Sequence, residues 1–323
     1  MQKKLAVVIL NWNGKSWLEK FLPGVVRFSP QSDIYVIDNL STDNSIDFLM
    51  NHFPEVKIIK NDKNYGFAGG YNEGLKHIDN EIYCLLNSDV EVTENWIEPI
   101  LELLEKNPEI AAVQPKILSY ERRNYFEFAG AAGGLIDNLG YPYCRGRVFD
   151  DIEEDHGQYN DETEIFWASG CSMFIRSKDF WEQNGFDERF FAHQEEIDLC
   201  WRLINSGKKI FYTGKSKVFH VGGGTLNKQS AKKTFLNMRN NLLMLLKNLP
   251  FPQLIAVIFS RLCLDGFAAL YFGYKYGISH FWAVGRAHCA FYIYFPGTWK
   301  RRQEHQKHQF YQSKWLIFKH FLK

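Results

Sequence analysis

Four short apolar segments in the first 90 residues limit the possible fold more than any other feature. They are residues 5–10, 34–37, 56–59 and 82–86, and a helix-forming segment follows each of them. Strands that alternate with helices over short connections are typical of a parallel sheet wound by right-handed crossovers. The sequence therefore predicts an α/β fold with a mostly parallel central sheet flanked by helices.

Polar or glycine-rich residues follow each of these predicted strands. Asn11 follows the first strand, Asp38 the second, a turn beginning at Gly66 the third, and Asp89 the fourth. Parallel strands end at one edge of a sheet, and open α/β sheets bind their ligands at that edge. The glycines permit close approach of the backbone to a ligand, but their spacing is not the G-x-G-x-x-G of dinucleotide-binding proteins.

Two carboxylates follow the fourth strand, at Asp89 and Glu91. Alternate side chains of an extended segment share a face, and two carboxylates at that spacing suit a divalent cation that also binds substrate phosphates. A solvated loop after a core strand would carry the same residues. The pattern alone leaves both interpretations open.

A second acidic pair, Glu195 and Glu196, lies in the first turn of a predicted helix. Carboxylates there stabilise a helix by interacting with its dipole, so a capping role is one interpretation. A general base at the edge of the sheet is the other. His220 ends a short predicted strand, where a structural role is as compatible with the sequence as a metal-ligating one.

The composition is that of a globular protein, with 323 residues of which 46% are hydrophobic and 23% charged. The six cysteines are scattered without a C-x-x-C pair, so we expect reduced residues of a cytoplasmic protein rather than disulfides or a zinc site. The N-terminal apolar run has only six residues before polar residues follow. It is too short for a secretory signal and is expected to form the first strand.

Charge is divided unevenly along the chain. Residues 1–198 hold 18 basic and 35 acidic residues, whereas residues 199–323 hold 20 basic and two acidic residues. A basic half rich in aromatic residues suggests an anionic partner, which could be nucleic acid, anionic lipid or a phosphorylated lipid carrier. No recognised nucleic-acid-binding module is present, so we expect no nucleic acid.

The C-terminal hundred residues combine a basic helix at 228–248 with two strongly apolar segments, 254–274 and 281–295. Charged residues interrupt both segments, and neither has 18 consecutive uncharged residues, so helices lying in the membrane interface are expected rather than a membrane span. The tail from Trp299 mixes aromatic and basic residues as interfacial anchors do. A helical subdomain or a homodimer surface is the alternative.

Seven ordered motifs within about residues 4–230 resemble a known family, the bacterial inverting family-2 glycosyltransferases of the GT-A fold, in particular their rhamnosyltransferase-like branch. The motifs are V-V-I-L-N-W-N-G, D-N-x-S-T-D-x-S, N-x-G-F-A-G-G-x-N-x-G, L-L-N-S-D-V-E-V, S-G-C-S-M-F-I-R, E-E-I-D-L-C-W-R and H-V-G-G-G-T. The resemblance implies a nucleotide-diphosphate sugar donor, a divalent cation (Mg²⁺ or Mn²⁺), and a single displacement that inverts the anomeric carbon.

The resemblance also implies roles for individual residues. Glu196 is at the position of the catalytic base, with Glu195 as its neighbour, and Asp89 and His220 are at the positions of metal ligands, to which Glu91 is a candidate addition. Residues at donor-binding positions share polar or aromatic side chains near the sheet edge. They are Asn11, Asp38, Asn64, Phe67 and Asn87, with Arg202 expected to stabilise the leaving diphosphate.

Two departures from the family pattern affect these assignments. The D-x-D motif is Asn87-Ser88-Asp89, so an amide replaces one carboxylate. The acidic pair is Glu-Glu rather than Glu-Asp, and the longer side chain extends one methylene further toward an acceptor.

The sequence thus predicts a GT-A catalytic domain at residues 1–227 and a basic, aromatic-rich helical extension at 228–323. The expected enzyme transfers a sugar, with rhamnose as a candidate, to a hydroxyl of a saccharide or lipid-linked acceptor in cell-surface polysaccharide synthesis. We expect it on the cytoplasmic face of the cell membrane, bound peripherally to an anionic surface. The alternative is a catalytically inactive, membrane-associated carbohydrate-binding scaffold of the same fold. A dehydrogenase is disfavoured because the required glycine spacing is absent.

Overall fold

The computed structural model describes residues 3–222, 230–302, 305–307 and 309–321. The predicted domain boundary between residues 227 and 228 lies outside these ranges. The strands are β1 (Leu5–Asn11), β2 (Ser32–Asp38), β3 (Lys57–Lys60), β4 (Ile82–Asn87), β5 (Val90–Val92), β6 (Ile110–Ser119), β7 (Gly134–Ile136), β8 (Pro142–Cys144), β9 (Arg147–Val148), β10 (Asp151–Ile152), β11 (Glu162–Ile165), β12 (Ser172–Arg176) and β13 (Lys209–His220). The helices are α1 (Lys15–Phe28), α2 (Ser45–His52), α3 (Gly66–Leu75), α4 (Glu98–Lys106), α5 (Ser177–Glu182), α6 (Glu195–Asn205), α7 (Ala231–Asn248), α8 (Phe251–Tyr276), α9 (Ile278–Trp299) and α10 (Leu316–Phe321).

The central sheet has the order β11-β13-β6-β12-β4-β1-β2-β3. Strand β5 is outside this order and pairs with β13. Strands β4, β1, β2 and β3 are parallel, as the alternation of strands and helices predicts. The register aligns Asn11 with Asp38 and Leu10 with Asn87. The polar residues that end three neighbouring strands therefore lie side by side at one edge.

The other part of the sheet is mixed. Strand β12 runs antiparallel to both of its neighbours, β4 and β6, and β11 is antiparallel to β13. Chain direction in this part depends on which distant strands pair, and the local sequence pattern does not specify that. The α/β fold of the predicted type is confirmed, with a sheet that is mixed rather than mostly parallel.

Each face of the sheet is covered by a separate hydrophobic core. Along β1, Val7 and Ile9 pack with α1 and α4, whereas Ala6 and Val8 belong to the core that includes α3, α6 and α7. Successive side chains of a strand point to opposite faces, so a strand covered on both faces is apolar at every position. This burial explains the continuous apolar segments of the sequence.

Two segments differ from their predicted structure. The sequence of residues 119–163 has no hydrophobic periodicity and predicts an irregular segment, but the structure forms a small antiparallel sheet there, β7 to β10. The sequence also predicts two short strands, at 209–213 and 217–220, whereas the structure forms one strand, β13, whose pairing with β6 shifts between Thr213 and Lys217. The register shift accounts for the polar residues that separate the two predicted strands in the sequence.

The C-terminal helices pack against the α/β part of the protein rather than standing apart from it. Most of the C-terminal half of α7 is buried, and Lys247 on this helix is ion-paired with Asp187 (3.1 Å) and with Asp198 of α6 (2.8 Å). Burial opposes ionisation of both aspartates, but their basic neighbours outweigh it and lower the pKa of each. Helix α7 is thereby attached to the helix that carries the Glu195-Glu196 pair.

Helices α8 and α9 form an antiparallel hairpin, and the two charged residues in the middle of α8 are turned inward. Arg261 and Asp265 are both buried, with Arg261 Nη2 3.4 Å from Asp265 Oδ1. Arg261 also donates to the backbone carbonyls of Leu139 and Gly140. In the described part of the chain, α8 is the one helix whose length and hydropathy would allow it to cross a membrane. The sequence-based count of uncharged residues indicated that no segment qualifies. Mean hydropathy over a long helix tolerates two charged residues, whereas a count of consecutive uncharged residues does not, and in α8 these two residues are Arg261 and Asp265, an ion pair on one face of the helix.

Candidate functional site

The carboxyl ends of β1 and β2 form one polar cluster. The Asn11 amide donates to Asp38 Oδ1 (3.1 Å) and to Ser41 Oγ (3.1 Å), and Asp38 Oδ2 accepts from the Ser41 backbone N–H (2.9 Å). Asn11 and Asp38 are almost fully buried, and Asn11 Oδ1 is buried without a hydrogen-bond partner. A Cβ atom on Gly14 would lie 2.5 Å from that oxygen and 3.6 Å from Ser88 Oγ, so this cluster adjoins the Asn87-Ser88-Asp89 segment.

Asn39 is the centre of a second cluster that sequence reasoning missed. Its amide donates to Asn64 Oδ1 (3.0 Å) and to the Gly66 carbonyl (2.9 Å), and its Oδ1 accepts from the Asn61 amide (3.1 Å). These bonds fix the turn that leads into α3. The Phe67 ring on α3 packs edge-on against Tyr71, with ring centroids 4.9 Å apart, and lies beside Gly170. Asn64 and Phe67 therefore border the same edge as Asn11 and Asp38.

Asp89 and His220, which are 131 residues apart, are brought into contact. His220 Nε2 lies 3.1 Å from Asp89 Oδ1 and 3.4 Å from the Asn87 amide nitrogen, and the Asp89 carbonyl accepts from the Val221 N–H. The pairing of β5 with β13 produces this contact, because it aligns His220 with Val90. Both side chains are less than 10% exposed.

Glu127 completes this group on the opposite side of the imidazole ring. Its Oε2 lies 3.4 Å from His220 Nδ1, and the side chain is buried. Burial opposes the imidazolium form, but Cys171, Glu127 and Asp89 outweigh it and raise the pKa of His220 well above its ordinary value. Glu127 could not be found from the sequence, because it is a single acidic residue in a segment without hydrophobic periodicity.

Glu91 and Arg202 are not part of this group. The Glu91 carboxylate is bound by both terminal nitrogens of Arg123, at 2.7 and 2.9 Å, on the partly exposed surface. Arg202 is buried, with its side chain bonded to Asp198 and to the carbonyls of Gln183 and Gly185. The contacts of Arg202 hold α6 to the loop that precedes it.

The Glu195-Glu196 pair lies at the N-terminus of α6, with little access to water. Glu195 is 4% exposed, and Oε2 of each glutamate is shielded from solvent without a hydrogen-bond partner. Burial raises the pKa of Glu196 to about 7 and, together with the charge of Glu196, raises the pKa of Glu195 well above its ordinary value. A carboxyl group with a pKa near neutrality is suited to accept a proton from a substrate.

The backbone before this pair is strained. Phe191, His193 and Gln194 all have positive φ angles, of 63°, 71° and 73°. Ala192 N–H bonds to the Phe190 carbonyl at 2.7 Å, and the φ and ψ of Phe191, 63° and −57°, place it at the centre of a tight γ-turn. Each such conformation in a non-glycine residue costs about 1–3 kcal/mol and persists only where surrounding contacts enforce it.

The segment 168–171 connects the two acidic groups. Ala168 N–H points to Cys200 Sγ on α6 (3.5 Å), four residues after Glu196, whereas the Cys171 carbonyl accepts from Asn87 N–H (3.0 Å) beside His220. Consecutive Cα atoms are 3.8 Å apart, so Ala168 and Cys171 are at most about 11 Å apart. Segment 168–171 therefore contacts the helix that carries Glu196 at one end and lies beside the Asp89–His220 contact at the other.

Known proteins of similar structure share this arrangement of the sheet. GalNAc-T7, solved with UDP, GalNAc and Mn²⁺, aligns with 77% of this chain at a TM-score of 0.60 and 16% identity, and the aligned part is 49% of that structure. The mannosyltransferase PcManGT of Pyrobaculum calidifontis, solved with GDP-Man and Mn²⁺, aligns with 90% of this chain and 88% of its own at a TM-score of 0.55 and 10% identity. The fold is that of a GT-A glycosyltransferase.

The family follows from the sequence comparison. The model of glycosyl transferase family 2 matches residues 6–182, more than half of the chain, and the protein belongs to this family. A curated relative, N-acetylglucosaminyl-diphospho-decaprenol L-rhamnosyltransferase of Mycobacterium tuberculosis, is 23% identical over 236 residues, which are 68% of this chain and 76% of the relative. The predicted family membership is confirmed.

Proposed function

We propose that this glycosyltransferase moves a sugar from a nucleotide-diphosphate donor to a hydroxyl of a saccharide or lipid-linked acceptor, with inversion at the anomeric carbon. The observation that carries the proposal is the shielded Glu195-Glu196 pair, with the pKa of Glu196 raised to about 7. A sugar hydroxyl is a weak nucleophile, and a carboxylate at hydrogen-bond distance can take its proton as it attacks.

Glu196 is the proposed base. The acceptor oxygen bonds to the anomeric carbon, its proton passes to the Glu196 carboxylate, and the bond from that carbon to the diphosphate oxygen breaks. The nucleoside diphosphate leaves with the bonding electron pair. The pKa of Glu195, the adjacent and more deeply buried carboxyl, is raised well above its ordinary value by burial and by the charge of Glu196.

The polar edge of the sheet is the proposed donor site. Asn11 offers the nucleoside a buried amide oxygen without a hydrogen-bond partner, and Asp38 offers a carboxylate. Asn64 and Phe67 border the same edge of the sheet. Rhamnose is the proposed sugar because the Mycobacterium tuberculosis relative is named for rhamnosyl transfer. Deoxythymidine-diphosphate rhamnose is accordingly the first donor to test. Transfer to a lipid-linked acceptor would place the enzyme in cell-surface polysaccharide synthesis.

Asp89 and His220 are the proposed holders of a divalent cation, Mg²⁺ or Mn²⁺. Among the residues that the structure describes, no cluster of three or more His, Cys, Asp or Glu side chains has the arrangement of a complete metal site. A carboxylate and an imidazole nitrogen 3.1 Å apart fit a cation that takes its remaining ligands from diphosphate oxygens and water. When bound, the cation would neutralise charge on the leaving diphosphate. Glu91 stays a candidate ligand on sequence grounds alone, since its carboxylate is held by Arg123.

The donor stabilisation expected of Arg202 has no structural support, because its guanidinium is bonded inside the protein. The alternative of a catalytically inactive carbohydrate-binding scaffold is not favoured. Such a scaffold has no need for Asp89 and His220 in contact or for a shielded pair of glutamates.

The test compares wild type with Glu196→Gln in a transfer assay. Purified protein is incubated with a panel of nucleotide sugars, beginning with deoxythymidine-diphosphate rhamnose, with and without Mg²⁺ or Mn²⁺. The variant is expected to lose transfer while it binds the nucleoside diphosphate with nearly wild-type affinity in calorimetry. Unchanged turnover in the variant would remove Glu196 from the mechanism.

The outer face of the α8–α9 hairpin is the proposed membrane-binding surface. Large apolar side chains cover this face, and Tyr274 is 93% exposed. Helix α8 exposes no charged side chain before Lys275. They include Phe251, Ile255, Phe259, Phe267, Leu270 and Tyr271 of α8 and Ile278, Trp282, Tyr292 and Ile293 of α9. A soluble helix buries such residues and exposes its charges, whereas α8 does the reverse.

A bilayer interface matches this surface better than a crossing of the membrane does. The inward face of α8 contacts the catalytic core through Arg261, so α8 cannot be surrounded by lipid. Tyr and Trp residues cluster near both ends of the hairpin, and Lys275, Arg286 and Lys300 are exposed for contact with anionic headgroups. The C-terminal end of α9 bonds to Arg189 through Thr298 (3.1 Å), so a lipid-linked acceptor at the cytoplasmic face would lie near the loop before Glu196.

Vesicle flotation tests this surface. Full-length protein is mixed with phosphatidylcholine vesicles with or without about one-third phosphatidylglycerol. Phe259→Asp and Phe267→Asp are expected to abolish flotation, and Met50→Asp, which changes an exposed apolar residue of α2, is expected to leave it unchanged. If the protein does not float and the two Phe variants convert a dimer to a monomer in sedimentation, the face is a homodimer surface instead.

A further inference from the structure

The strained loop before Glu195 depends on contacts from α7, a helix outside the part of the chain that the family model matches. Asn240 of α7 is fully buried, and its amide nitrogen lies within hydrogen-bond distance of three carbonyl oxygens in the loop. They belong to Phe190 (3.0 Å), Ala192 (3.0 Å) and His193 (2.7 Å). The two N–H groups of this one side chain are thus shared among three of the four carbonyls from residue 190 to residue 193.

The orientation of this amide is fixed by its surroundings. Arg239 donates to Asn240 Oδ1 from Nε (2.9 Å) and from Nη2 (2.7 Å). Two donors at the oxygen and three acceptors at the nitrogen leave one orientation of the Asn240 amide that satisfies both ends. Arg239 Nη2 also donates to the carbonyls of Arg189 (2.9 Å) and Phe190 (3.2 Å), so the two residues bind the loop together.

The remaining carbonyls of the loop are bound by other elements. The Phe191 carbonyl accepts from the N–H groups of Phe67 (2.7 Å) and Ala68 (3.2 Å) at the start of α3, and the Gln194 carbonyl accepts from Asp198 N–H (2.9 Å) inside α6. Each carbonyl from residue 189 to residue 194 therefore has a described hydrogen-bond partner. Without Asn240, the carbonyls of Ala192 and His193 would lose the partner that holds them.

We infer that Asn240 is a positioning residue for the reaction, which holds the 190–193 backbone in its strained conformation and so fixes the direction in which Glu196 meets the acceptor hydroxyl. This inference rests on the proposed role of Glu196 as the base. It also gives the C-terminal extension a part in catalysis, because the catalytic base is positioned by a side chain that the extension supplies.

Removal of this side chain leaves the donor site intact. The Asn11–Asp38 cluster and the Asp89–His220 contact have no bond to Asn240, and the Phe191 carbonyl keeps its two bonds to α3. The expected consequence is a misplaced base with a normal donor site. A displacement of about 1 Å in a reacting group can lower turnover by about 100-fold.

The experiment uses the full chain with Asn240→Ala and Asn240→Asp. The aspartate keeps the shape of the side chain but cannot donate to the carbonyls, and it serves as the second variant should the alanine protein fail to fold. Asn80→Ala is the matched control, since Asn80 is also a buried amide that binds a backbone carbonyl, that of Lys3, at the start of β4 and far from the acidic pair. Glu196→Gln is measured in parallel.

We expect both Asn240 variants to lower kcat by about 100-fold with less than a threefold change in KM for the nucleotide sugar. Hydrogen exchange at residues 191–194 is expected to accelerate in these variants and not in Asn80→Ala. A role limited to general stability would affect Asn80→Ala and the Asn240 variants alike, and that result would overturn the inference.

Parallel measurement separates the inference from the proposal it depends on. If Glu196→Gln is inactive and both Asn240 variants turn over within twofold of wild type, the positioning role is wrong and the base assignment stands. If Glu196→Gln retains full activity, the base assignment fails and the positioning role fails with it.

Discussion

Glu196→Gln should make the protein more stable at alkaline pH while it abolishes transfer. The substitution keeps the size of the side chain and removes its ability to ionise. Burial raises the pKa of Glu196 from the ordinary value of 4.5 to about 7, so the folded protein binds this proton more tightly than the unfolded chain does. A group of this kind lowers the free energy of unfolding as pH rises from its unfolded pKa to its folded pKa.

The size of the effect follows from the pKa difference. One pKa unit corresponds to about 1.4 kcal/mol, so a shift of this size destabilises the folded wild type by at most about 3 kcal/mol above pH 7. Well below pH 4.5 the carboxyl is protonated in both states and the penalty disappears. The variant should therefore gain up to about 3 kcal/mol relative to wild type at pH 8.5 and much less at pH 5.

Urea denaturation at pH 5 and pH 8.5 measures this difference. Glu102→Gln, a change at an exposed glutamate of α4, is the control and should alter the free energy of unfolding by less than about 0.5 kcal/mol at both pH values. An equal change for Glu196→Gln at the two pH values, or destabilisation at pH 8.5, would refute the assignment of a shielded, high-pKa carboxyl at this position. The same pKa predicts that wild-type kcat falls about tenfold per pH unit below pH 7, because the base becomes protonated.

Four further substitutions, one of them a control, test other parts of the structure. Lys247→Met should lower the free energy of unfolding by about 1.5–3 kcal/mol in denaturant titration, because it removes a cation shared by two buried carboxylates, of which Asp187 keeps Arg189 and Asp198 keeps Arg202. An undiminished value would mean that the network contributes little. Asp89→Ala should raise the Mn²⁺ concentration needed for half-maximal transfer by at least about tenfold, whereas a wild type that needs no metal would exclude Asp89 as a ligand. Gly74→Ala should destabilise the folded protein by about 1–3 kcal/mol in thermal melts, because the new Cβ would lie 2.3 Å from Ile37 Cδ1. Gly24→Ala in α1 is the control. No atom lies within 4 Å of its new Cβ, so it should be neutral or stabilise the protein by up to about 1 kcal/mol.

The polar edge of the sheet could be predicted because it depends on short-range rules. Asn11, Asp38 and Asn87 each end an apolar segment, and parallel strands place their carboxyl ends together whatever lies elsewhere in the chain. The Asp89–His220 contact was inferred from a family resemblance and not from spacing. Its geometry requires that β5 pair with β13, more than a hundred residues away.

Several residues could not be found from the sequence. Glu127 lies in a segment without periodicity, and its place beside His220 depends on the fold of that segment. Asn240 lies in a helix that the sequence presents as basic and interfacial, while the structure buries it against the loop before Glu195. The expectation that Arg202 stabilises the leaving diphosphate stays a prediction, and the structure shows its guanidinium bonded to Asp198 and to the carbonyls of Gln183 and Gly185.

The sequence by itself determined the strands, the helices and the polar ends of the parallel strands, because apolar periodicity and turn chemistry act between residues that are near in the chain. Only the tertiary structure decided which face of α8 carries its charges, which distant residues surround His220, and how α7 holds the loop before Glu196. These contacts join residues far apart in the chain. Their free energy is realised only when the whole core has formed, so no local pattern encodes them.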